Sequence, residues 1–548
     1  MNHIRISLSL FFIFYSLFNY AQYDHLGFSY PIDKEPVITG NYGEIRPNHF
    51  HVGLDFSTDP LLNLPIKSVA DGYVSRIKIS SVGYGRVLYI THANGYVSVY
   101  AHQKKYADKI DTYVKHKQLE QKKNELELFP TPNELPIKKG EIVGYTGNSG
   151  SSTGPHLHFE IREEKTEIPI NPLLIYNIKD DIKPIITSIG IYNTSDTNNI
   201  KLSHLEIIKN SNGKLTLSKS IILLSENTFA IGYSGYDVAN ATTNKNNIYE
   251  ATLKLDHQEI YHHRLNNISF DNGRYVNVFS EKTNGQKIQK CFTPTCYDIG
   301  IYKNVMRGGK IILPDTLKHT IELLVADEKG NTNSILFYVK STHLNGYIAN
   351  NTKYNVFCDR DFKLKEDNFE IKIPRGALVK NTYIHKRVYI QAPKNGGVEL
   401  GDENDQVIKP FNISLKITNL IKNKASKLVM TVNGDVIGGL MDDGDWLRAE
   451  SKTFGTFNYL YDTLAPTISI SALKKKKVAP TDHISFKITD QLSGIADYNI
   501  YVNGVWQIAE YDAKSKTVSC YFSEAPKNSN SIRIEVLDKV GNIAVLNY

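Results

Sequence analysis

The sequence predicts a mainly β protein of several domains, and three observations lead to this prediction. The chain has 548 residues, which is more than one hydrophobic core usually serves. Short runs rich in Tyr, Thr, Val and Ile recur along it, as in GYGRVLYITHANGYVSVYAH. Glycine and Asn-Gly turns separate these runs, which is typical of antiparallel strands. We therefore expect an N-terminal antiparallel β-domain with a helical insertion, followed by several immunoglobulin-like β-sandwich domains.

Residues 1–21 have the pattern of a secretory signal peptide. Arg5 gives a charged start, residues 8–18 are apolar, and Ala21 offers a cleavage point. An uncleaved anchor is the alternative, because Asn19 stands where a small residue usually precedes cleavage. No later stretch is long and apolar enough to cross a membrane. We expect export to the periplasm or cell envelope, or secretion, and no integral membrane protein after removal of the signal.

Residues 22–178 form the first predicted domain, in which short strands are joined by glycine-marked turns. Its exception is the segment 105–134, which is charged, poor in turns and roughly helical in pattern up to the proline-rich PTPNELP. Such an insertion fits either a solvated surface helix or a wall or lid beside a functional site.

Two sequence signatures recur in the remainder of the chain. DDIKPIITS from Asp180 and DTLAPTISI from Asp462 share the pattern D-x-x-x-P-x-I. VADEKGNTN around Asp327 and VLDKVGNIA around Asp538 share a D-x-x-G-N turn. We therefore expect immunoglobulin-like β-domains over residues 179–344, with an insertion, and over residues 462–548. A β-rich domain of less clear fold lies between them, over residues 345–461.

Acidic turns raise the question of calcium. Asp442, Asp443 and Asp445 could bind this ion, and so could Asp327 with Asn331. Asp, Asn and Gly are also the residues that turns generally use. No loop has the regular ligand spacing of an EF-hand, so both interpretations stay open.

The four cysteines are Cys291, Cys296, Cys358 and Cys520. Cys291 and Cys296 could close a small loop, and an exported protein permits disulfides. A zinc knuckle would need a second Cys or His pair nearby, which the sequence lacks. We expect a local disulfide or free thiols.

The net charge of +7 is modest for this length. It fits mild attraction to an anionic polymer such as a cell wall, and equally the charge that keeps a protein in solution. No basic run with interleaved aromatic residues occurs, so we expect no nucleic-acid partner.

Histidines and one aspartate carry the chemistry of the first domain. In GPHLHFEIRE, His156 and His158 would lie on one face of a strand, with Leu157 and Phe159 on the other. NHFHVGLD contributes His51 and Asp55, and VYAHQ contributes His102 at the end of a strand. A hydrolytic zinc site needs three protein ligands and one open position. His51, Asp55 and His158 would be the ligands, with His102 and His156 flanking the open position.

The motifs HVGLD, YAH and TGNSGSSTGPHLHFEI resemble those of the lysostaphin/LytM-type zinc endopeptidases, which hydrolyse peptide bonds in peptidoglycan. The resemblance covers residues 36–172, about a quarter of the chain. It implies one zinc ion held by His51, Asp55 and His158, with His102 and His156 assisting catalysis. It also implies that the substrate is the stem peptides of peptidoglycan. D-alanyl to diaminopimelate cross-links are the expected target, and oligoglycine or protein substrates are the alternative.

Other residues near these motifs receive structural interpretations. His49 forms a rival H-x-H with His51, and we interpret His49 as a packing residue or as support for a ligand. His92 stands at a hairpin turn and is predicted to be structural. Gly147, Gly150 and Gly154 permit tight backbone in a loop that either binds an extended peptide or is a plain connection.

Three hypotheses for the whole chain follow. The first is an active zinc endopeptidase acting on peptidoglycan. The second is a catalytically silent scaffold that binds the cell wall or activates another wall hydrolase. The third is an adhesion or envelope-structural protein in which the C-terminal β-domains bind envelope partners. The complete set of predicted site residues favours the first.

Overall fold

The computed structural model describes most of the chain. The described residues are 23, 26–33, 37–58, 63–194, 200–211, 214–240, 242–294, 299–344, 355–389, 397–417, 422–442, 444–470, 483–521 and 531–547. The predicted signal peptide, Cys296 and Asp443 lie outside them. Among the described residues, none of the helices combines the length and the apolar character that crossing a membrane requires.

The protein is mainly β, with 51% of the described residues in strands and 8% in helices, so the predicted fold class is confirmed. The immunoglobulin-like character of the later domains and the domain boundaries stay predictions.

A nine-stranded antiparallel sheet forms the centre of the N-terminal domain. Its main path runs through Ile38–Gly40, Leu54–Ser57, His156–Glu163, Tyr96–Ala101, Arg86–His92, Gly72–Ile79 and Leu126–Leu128. Pro136–Ile137 and Pro169–Ile170 pair at its sides. A second sheet contains Pro65–Lys67, Ile142–Tyr145 and Lys105–Tyr106, and a small hairpin contains Ile45–Arg46 and His49–Phe50. A 3₁₀ helix, Pro172–Leu174, follows.

The strand His156–Glu163 lies in the middle of the large sheet, between Leu54–Ser57 and Tyr96–Ala101. Leu157 and Phe159 have no exposed surface and pack in the core of the domain, as the alternating pattern predicts. Their burial anchors the strand, so its opposite face is held in a fixed position for the histidines.

The predicted helical insertion is one helix, Asp108–Gln121, between two short strands. Ile110, Val114 and Gln118 are buried, and this spacing of four residues makes one inward-facing stripe. Ile110 and Val114 belong to the core of the domain. The prediction of a helix is thus confirmed for Asp108–Gln121, which is a surface helix with one packed face, whereas Lys105–Tyr106 and Leu126–Leu128 of the same segment are strands.

Two sheets follow the N-terminal domain. The first contains Lys214–Leu217, Lys201–Ser211, Ile185–Asn193, Thr228–Tyr236, Gln286–Lys290 and Ser280–Thr283, with Ile311–Ile312 paired to Thr228–Tyr236. The second contains Ile221–Leu224, Thr332–Ser341, His319–Ala326, Glu250–Leu255, Gln258–Arg264 and Tyr302–Val305. Short helices span Phe270–Tyr275, Val276–Phe279 and Met306–Gly309. A shared hydrophobic core joins the two sheets.

The last part of the chain contains two further pairs of sheets. The first pair consists of Phe362–Lys365, Phe369–Ile373, Phe411–Lys416, Trp446–Ser451 and Leu440–Met441, and of Lys386–Tyr389, Gly397–Leu400, Gly455–Tyr461, Leu428–Val432 and Asp435–Gly438. A 3₁₀ helix spans Lys422–Lys427. The second pair consists of Thr467–Ser469, His483–Thr489, Thr517–Tyr521 and Ala509–Asp512, and of Val505–Gln507, Ile495–Val502, Ile532–Asp538 and Ile543–Asn547. Each pair encloses its own hydrophobic core.

The N-terminal domain contacts two of the later domains. Phe50 packs edge-on against Phe279, with 5.6 Å between ring centroids, in a buried cluster that both segments share. On another side, the buried amide of Asn124 donates to the carbonyl oxygen of Tyr498 at 2.7 Å and accepts from the backbone N–H of Ala509 at 2.8 Å. Apolar packing and buried hydrogen bonds thus join domains that are distant in sequence.

Of the two expectations for Cys291, a local disulfide or a free thiol, the structure has the free thiol. Cys291 is a free, fully buried thiol, and burial raises its pKa, so it behaves as a small core residue. Cys520 is also free and buried, whereas Cys358 is disulfide-bonded.

Candidate active site

Three predicted ligands converge beside the central strand. His158 and Asp55 are paired residues on neighbouring strands. His51 lies four residues before Asp55, just ahead of the strand Leu54–Ser57. Nε2 of His51 lies 2.8 Å from Nδ1 of His158 and 3.0 Å from Oδ1 of Asp55. Nδ1 of His158 lies 2.9 Å from the same Oδ1. All three side chains are buried.

The donor set fits a zinc ion. Two imidazole nitrogens and one carboxylate oxygen face a common point, and Zn–N and Zn–O bonds of about 2.0–2.2 Å place tetrahedral ligands about 3.3 Å apart. The observed separations of 2.8–3.0 Å are close to that spacing. Two imidazole nitrogens and one carboxylate oxygen that converge in this way are the donor set of a tetrahedral zinc site with one open position.

In His51 and in His158, the ring nitrogen that faces away from the three-ligand cluster, here called the outward nitrogen, lies at hydrogen-bond distance from an acceptor. Nδ1 of His51 lies 2.8 Å from the carbonyl oxygen of Asn41, and Nε2 of His158 lies 2.7 Å from Oε1 of Glu160. When each outward nitrogen donates its hydrogen, the inward nitrogen keeps its lone pair for a metal. Asn41 and Glu160 therefore set the tautomers of the two ligands.

Glu160 is a site residue that the sequence interpretation missed. Its side chain has no exposed surface, and it accepts hydrogen bonds from Arg162 at 2.7 Å and from the hydroxyl of Tyr84 at 2.5 Å. Burial alone would raise the pKa of Glu160, but Arg162 and His158 outweigh it and lower that pKa. Glu160 is two residues beyond His158 on the same strand face, so the alternation that relates His156 to His158 could have found it.

Arg46 is a second residue that the sequence interpretation missed. Its guanidinium donates to Oδ2 of Asp55 at 2.5 Å and to Glu44 at 2.9 Å. Burial would raise the pKa of Asp55, but the surrounding histidines, with His51 first, hold that pKa well below its usual value. Asp55 thus stays a carboxylate, with one oxygen fixed by Arg46 and the other directed at the two ligand histidines.

The two predicted catalytic histidines lie together beside the three ligands. The ring centroids of His102 and His156 are 4.8 Å apart. Nδ1 of His102 lies 2.9 Å from the carbonyl oxygen of Ser149, and Nδ1 of His156 lies 2.8 Å from that of Gly154. These contacts leave Nε2 of each ring as the nitrogen that accepts a proton. Nε2 of His156 is buried, has no hydrogen-bond partner and lies 3.5 Å from Oδ1 of Asp55.

Burial keeps His102 neutral. Desolvation, followed by the nearby His158 and His156, lowers the pKa of His102 to about 3. In the metal-free protein, burial also disfavours charge on His158, but Asp55 and Glu160 outweigh it and raise the pKa of His158 to about 9. In the metal-free protein, the site thus combines a neutral imidazole, that of His102, with a protonated one, that of His158.

Glycines position the loop before the catalytic strand. A Cβ on Gly147 would approach the backbone nitrogen of Lys104 to 2.4 Å, and one on Gly150, at φ +72°, would approach that of Gly85 to 2.3 Å. The predicted tight backbone is therefore present at Gly147 and Gly150, whereas a Cβ on Gly154 would meet nothing within 4 Å. Ser149 accepts a hydrogen bond from the backbone N–H of Arg86 at 2.9 Å, so its hydroxyl holds the loop in place.

The remaining histidine predictions have different outcomes. His92 is buried between the carbonyl oxygen of Asp71 and the hydroxyl of Ser98, at 2.9 and 2.8 Å, so its structural role is confirmed. His49 is exposed and its Nδ1 contacts only the carbonyl oxygen of Pro47, at 2.9 Å, among the hydrogen bonds recorded for its ring. The expectation that His49 supports a ligand is wrong, because its ring is exposed and contacts Pro47, whereas His51 is buried.

Comparisons with known proteins agree with this geometry. The sequence model named "Peptidase family M23" matches residues 49–119 and 132–172, and a "Zu5-like domain" matches residues 353–462. The first match includes most of the helix Asp108–Gln121, so only residues 120–131 are additional to the family pattern. The predicted insertion is therefore shorter than the segment 105–134.

Three curated relatives match the N-terminal part of the chain. It is 31% identical over 125 residues to the DD-carboxypeptidase/endopeptidase Mpg of Neisseria meningitidis serogroup B, covering 23% of this chain and 22% of that protein. It is 30% identical over 164 residues to the peptidoglycan DD-endopeptidase ShyB of Vibrio cholerae, covering 27% and 32%. It is 28% identical over 111 residues to lysostaphin of Staphylococcus simulans, covering 20% and 17%. The chain thus spans only 17–32% of the length of these relatives.

Proposed function

We propose that the lysostaphin/LytM-type metallopeptidase domain at the N-terminus of this chain makes the protein an exported, zinc-dependent endopeptidase that hydrolyses peptide cross-links of peptidoglycan. One observation carries the proposal: His51, Asp55 and His158 converge on one point while the unpartnered Nε2 of His156 lies 3.5 Å from Asp55. A ligand set and a proton acceptor within one small volume are the two components that metal-assisted hydrolysis requires.

His51, Asp55 and His158 would hold one zinc ion. A zinc ion in such a site supplies Lewis-acid activation of a water molecule and of the scissile carbonyl group. Asn41 and Glu160 orient the two imidazoles, and Arg46 fixes the carboxylate. Preorganisation of this kind lowers the cost of assembling the site when the substrate binds.

His156 and His102 would manage the protons. Nδ1 of each ring donates to a backbone carbonyl oxygen, which leaves Nε2 available. Nε2 of His156 would take the proton of the attacking water and return it to the departing amine. The lowered pKa of His102 keeps it neutral and weakly basic at ordinary pH, so His102 would accept a hydrogen bond and orient the water. Once His156 has taken a proton, its ring can donate to the oxyanion.

The proposed substrate rests on the names of the relatives and on the loop beside the strand that carries His156. Two relatives are named for endopeptidase activity, one of them on peptidoglycan. The predicted signal peptide would bring the enzyme to the envelope, where this polymer occurs. Stem peptides are extended chains, and the glycine-held loop over residues 147–154 borders the strand that carries His156.

A catalytically silent scaffold is the second candidate function, and one contact favours it. Nζ of Lys514, in the last β-domain, donates to the carbonyl oxygens of Asn148 and Ser152 at 2.6 and 3.2 Å. Arg86 of the first domain forms an ion pair with Glu510. The last domain therefore rests on the loop that precedes His156, where it would restrict a bulky substrate.

Digestion of purified peptidoglycan separates the two functions. The zinc-loaded mature protein and a protein lacking residues 462–548 are incubated with the polymer, and the products are identified by mass spectrometry. A peptidase releases fragments cut within the peptide cross-links, and His158→Ala releases none. A scaffold releases no fragments in either form while still binding the insoluble polymer.

A further inference from the structure

Three aspartates meet where the N-terminal domain joins the following β-domain. Asp180 lies in the connection between the domains, Asp237 follows the strand Thr228–Tyr236, and Asp327 follows the strand His319–Ala326. One carboxylate oxygen from each lies within 4.8 Å of the others. Ligand oxygens on a calcium ion at 2.3–2.6 Å can be at most about 5 Å apart, so all three can contact one ion.

Asp237 gives the cluster an unsatisfied buried oxygen. The residue is only 3% exposed, and its Oδ1 has no hydrogen-bond partner. A buried carboxylate oxygen without a donor is costly, and native proteins usually satisfy such atoms with a donor or a cation. Among the three aspartates of the cluster, Asp237 thus offers a buried oxygen that a cation would satisfy.

A small cavity lies against the same side chains. It has a volume of about 20 Å³ and is lined by Asp180, Asp237, Glu328 and Lys329, among others. That volume holds a single ion or water molecule. Lys329 donates to the carbonyl oxygens of Leu173 and Tyr176 at 3.4 and 3.0 Å, and Glu328 accepts from Asn171 at 3.0 Å. With Asp327 adjoining, the carboxylates here outnumber the ammonium groups.

The second repeat reproduces the arrangement. Asp462, Asp490 and Asp538 also bring carboxylate oxygens within 4.8 Å of one another. Asn542 donates to Oδ2 of Asp538 at 2.7 Å and to the carbonyl oxygen of Asp462 at 3.0 Å. In the first repeat, Asn331 makes the equivalent contacts: it donates to Oδ2 of Asp327 at 2.7 Å and to the carbonyl oxygen of Asp180 at 2.9 Å. The matching turns thus hold a matching set of three carboxylates in both domains.

We propose that Asp180, Asp237 and Asp327 bind a calcium ion at the junction between the metallopeptidase domain and the β-domain that follows it. An all-oxygen donor set favours a hard cation over zinc. Calcium accepts six to eight oxygen ligands in flexible geometry, whereas magnesium demands a near-ideal octahedron and retains most of its water. Converging carboxylates around a cavity of about 20 Å³, which has no room for several waters, therefore favour calcium.

The ion would join segments that also support the active site. Asp237 pairs through its backbone with Asn246, at 3.0 and 2.8 Å. The next residue, Asn247, exchanges two hydrogen bonds with the side chain of Asn41, at 2.9 and 3.1 Å. The carbonyl oxygen of Asn41 in turn orients His51. Calcium at the junction would thus stabilise the packing that holds a metal ligand of the peptidase domain in place.

Calcium titration of the zinc-loaded full-length protein tests the proposal. Isothermal titration calorimetry in excess magnesium gives the number of calcium ions bound per chain for the wild type and for Asp237→Asn, an isosteric change. Asp180→Asn serves as a second variant in a less buried position. Asp181→Asn is the matched control, because this neighbour is exposed and lies outside the cluster. Circular dichroism confirms that each variant is folded.

We expect Asp237→Asn and Asp180→Asn each to bind one calcium ion fewer than the wild type, and Asp181→Asn to bind as many. Calcium should also raise the unfolding temperature of the wild type by several degrees more than that of Asp237→Asn, because a ligand stabilises only the folded state that binds it. The proposal is wrong if the wild type binds no calcium, or if Asp237→Asn and Asp180→Asn retain the full number of ions.

Discussion

Nδ1 of His51 lies 2.8 Å from the carbonyl oxygen of Asn41, so the backbone of one residue decides which nitrogen of the other faces the site. Glu160 does the same for His158 at 2.7 Å. The three candidate ligands are therefore oriented toward a common point before any metal arrives.

Glu160→Gln should weaken zinc binding by about 10–100-fold, because the neutral amide orients His158 less firmly and no longer stabilises positive charge beside it. The affinity is measured by competition with a chromophoric zinc chelator. Glu164→Gln, an exposed position four residues on, is the control and should match the wild type. Equal affinities for Glu160→Gln and Glu164→Gln would show that Glu160 does not support the ligand.

Zinc binding at pH 7 should release about one proton from His158. Its pKa of about 9 in the metal-free protein lies above neutral pH, so the empty site is protonated there and the ion must displace that proton. Affinity should therefore rise with pH up to about 9 and level off above it. Calorimetry in buffers with different heats of ionisation counts the released protons, and a binding heat independent of the buffer would refute the expectation.

Gly53→Ala should destabilise the N-terminal domain by about 1–3 kcal/mol, the usual cost of overpacking. A Cβ at this position would come within 2.6 Å of the carbonyl oxygen of Phe159 and 2.9 Å of Cε1 of His158. Gly154→Ala is the control, since a Cβ there meets nothing within 4 Å. Urea unfolding measures both, and similar stabilities would mean that the strand shifts to accommodate the methyl group.

Asn124→Ala should weaken the docking of the last β-domain by about 1–3 kcal/mol, because it strips a buried carbonyl and a buried N–H of their partners. The affected groups belong to Tyr498 and Ala509. Hydrogen exchange at both residues, followed by mass spectrometry, should accelerate. Asn133→Ala, an exposed position in the same segment, should leave exchange unchanged. Protection that persists in Asn124→Ala would indicate that other contacts suffice.

Short-range patterns predicted much of the fold and of the candidate site. The alternation in HLHF places His156 and His158 on one face and Leu157 and Phe159 in the core, as the structure has them. The same alternation extends to Glu160, which the sequence interpretation did not pursue. Mainly β structure and the inserted helix also followed from local composition and periodicity.

Long-range contacts could not be predicted in this way. Asn124 and Tyr498 are 374 residues apart, and Asn41 and Asn247 are 206 residues apart, so no local pattern links them. The cluster of Asp180, Asp237 and Asp327 is also a long-range contact that no local pattern predicts. The repeated signatures pointed to Asp180 and Asp327 separately, but not to Asp237. His49 was misassigned because spacing alone does not show which way a short strand turns its side chains.

Turnover by His156→Ala at full zinc occupancy tests the central claim most directly. Zinc content is measured by atomic absorption, and release of soluble fragments from purified peptidoglycan is measured on the same samples, beside the wild type and His158→Ala. We predict that the wild type binds zinc and releases fragments, that His158→Ala loses both properties, and that His156→Ala keeps zinc while losing turnover by about 10²–10⁴-fold, as expected for loss of a general base. A fully active His156→Ala, or a zinc-loaded wild type that releases no fragments, would contradict the account.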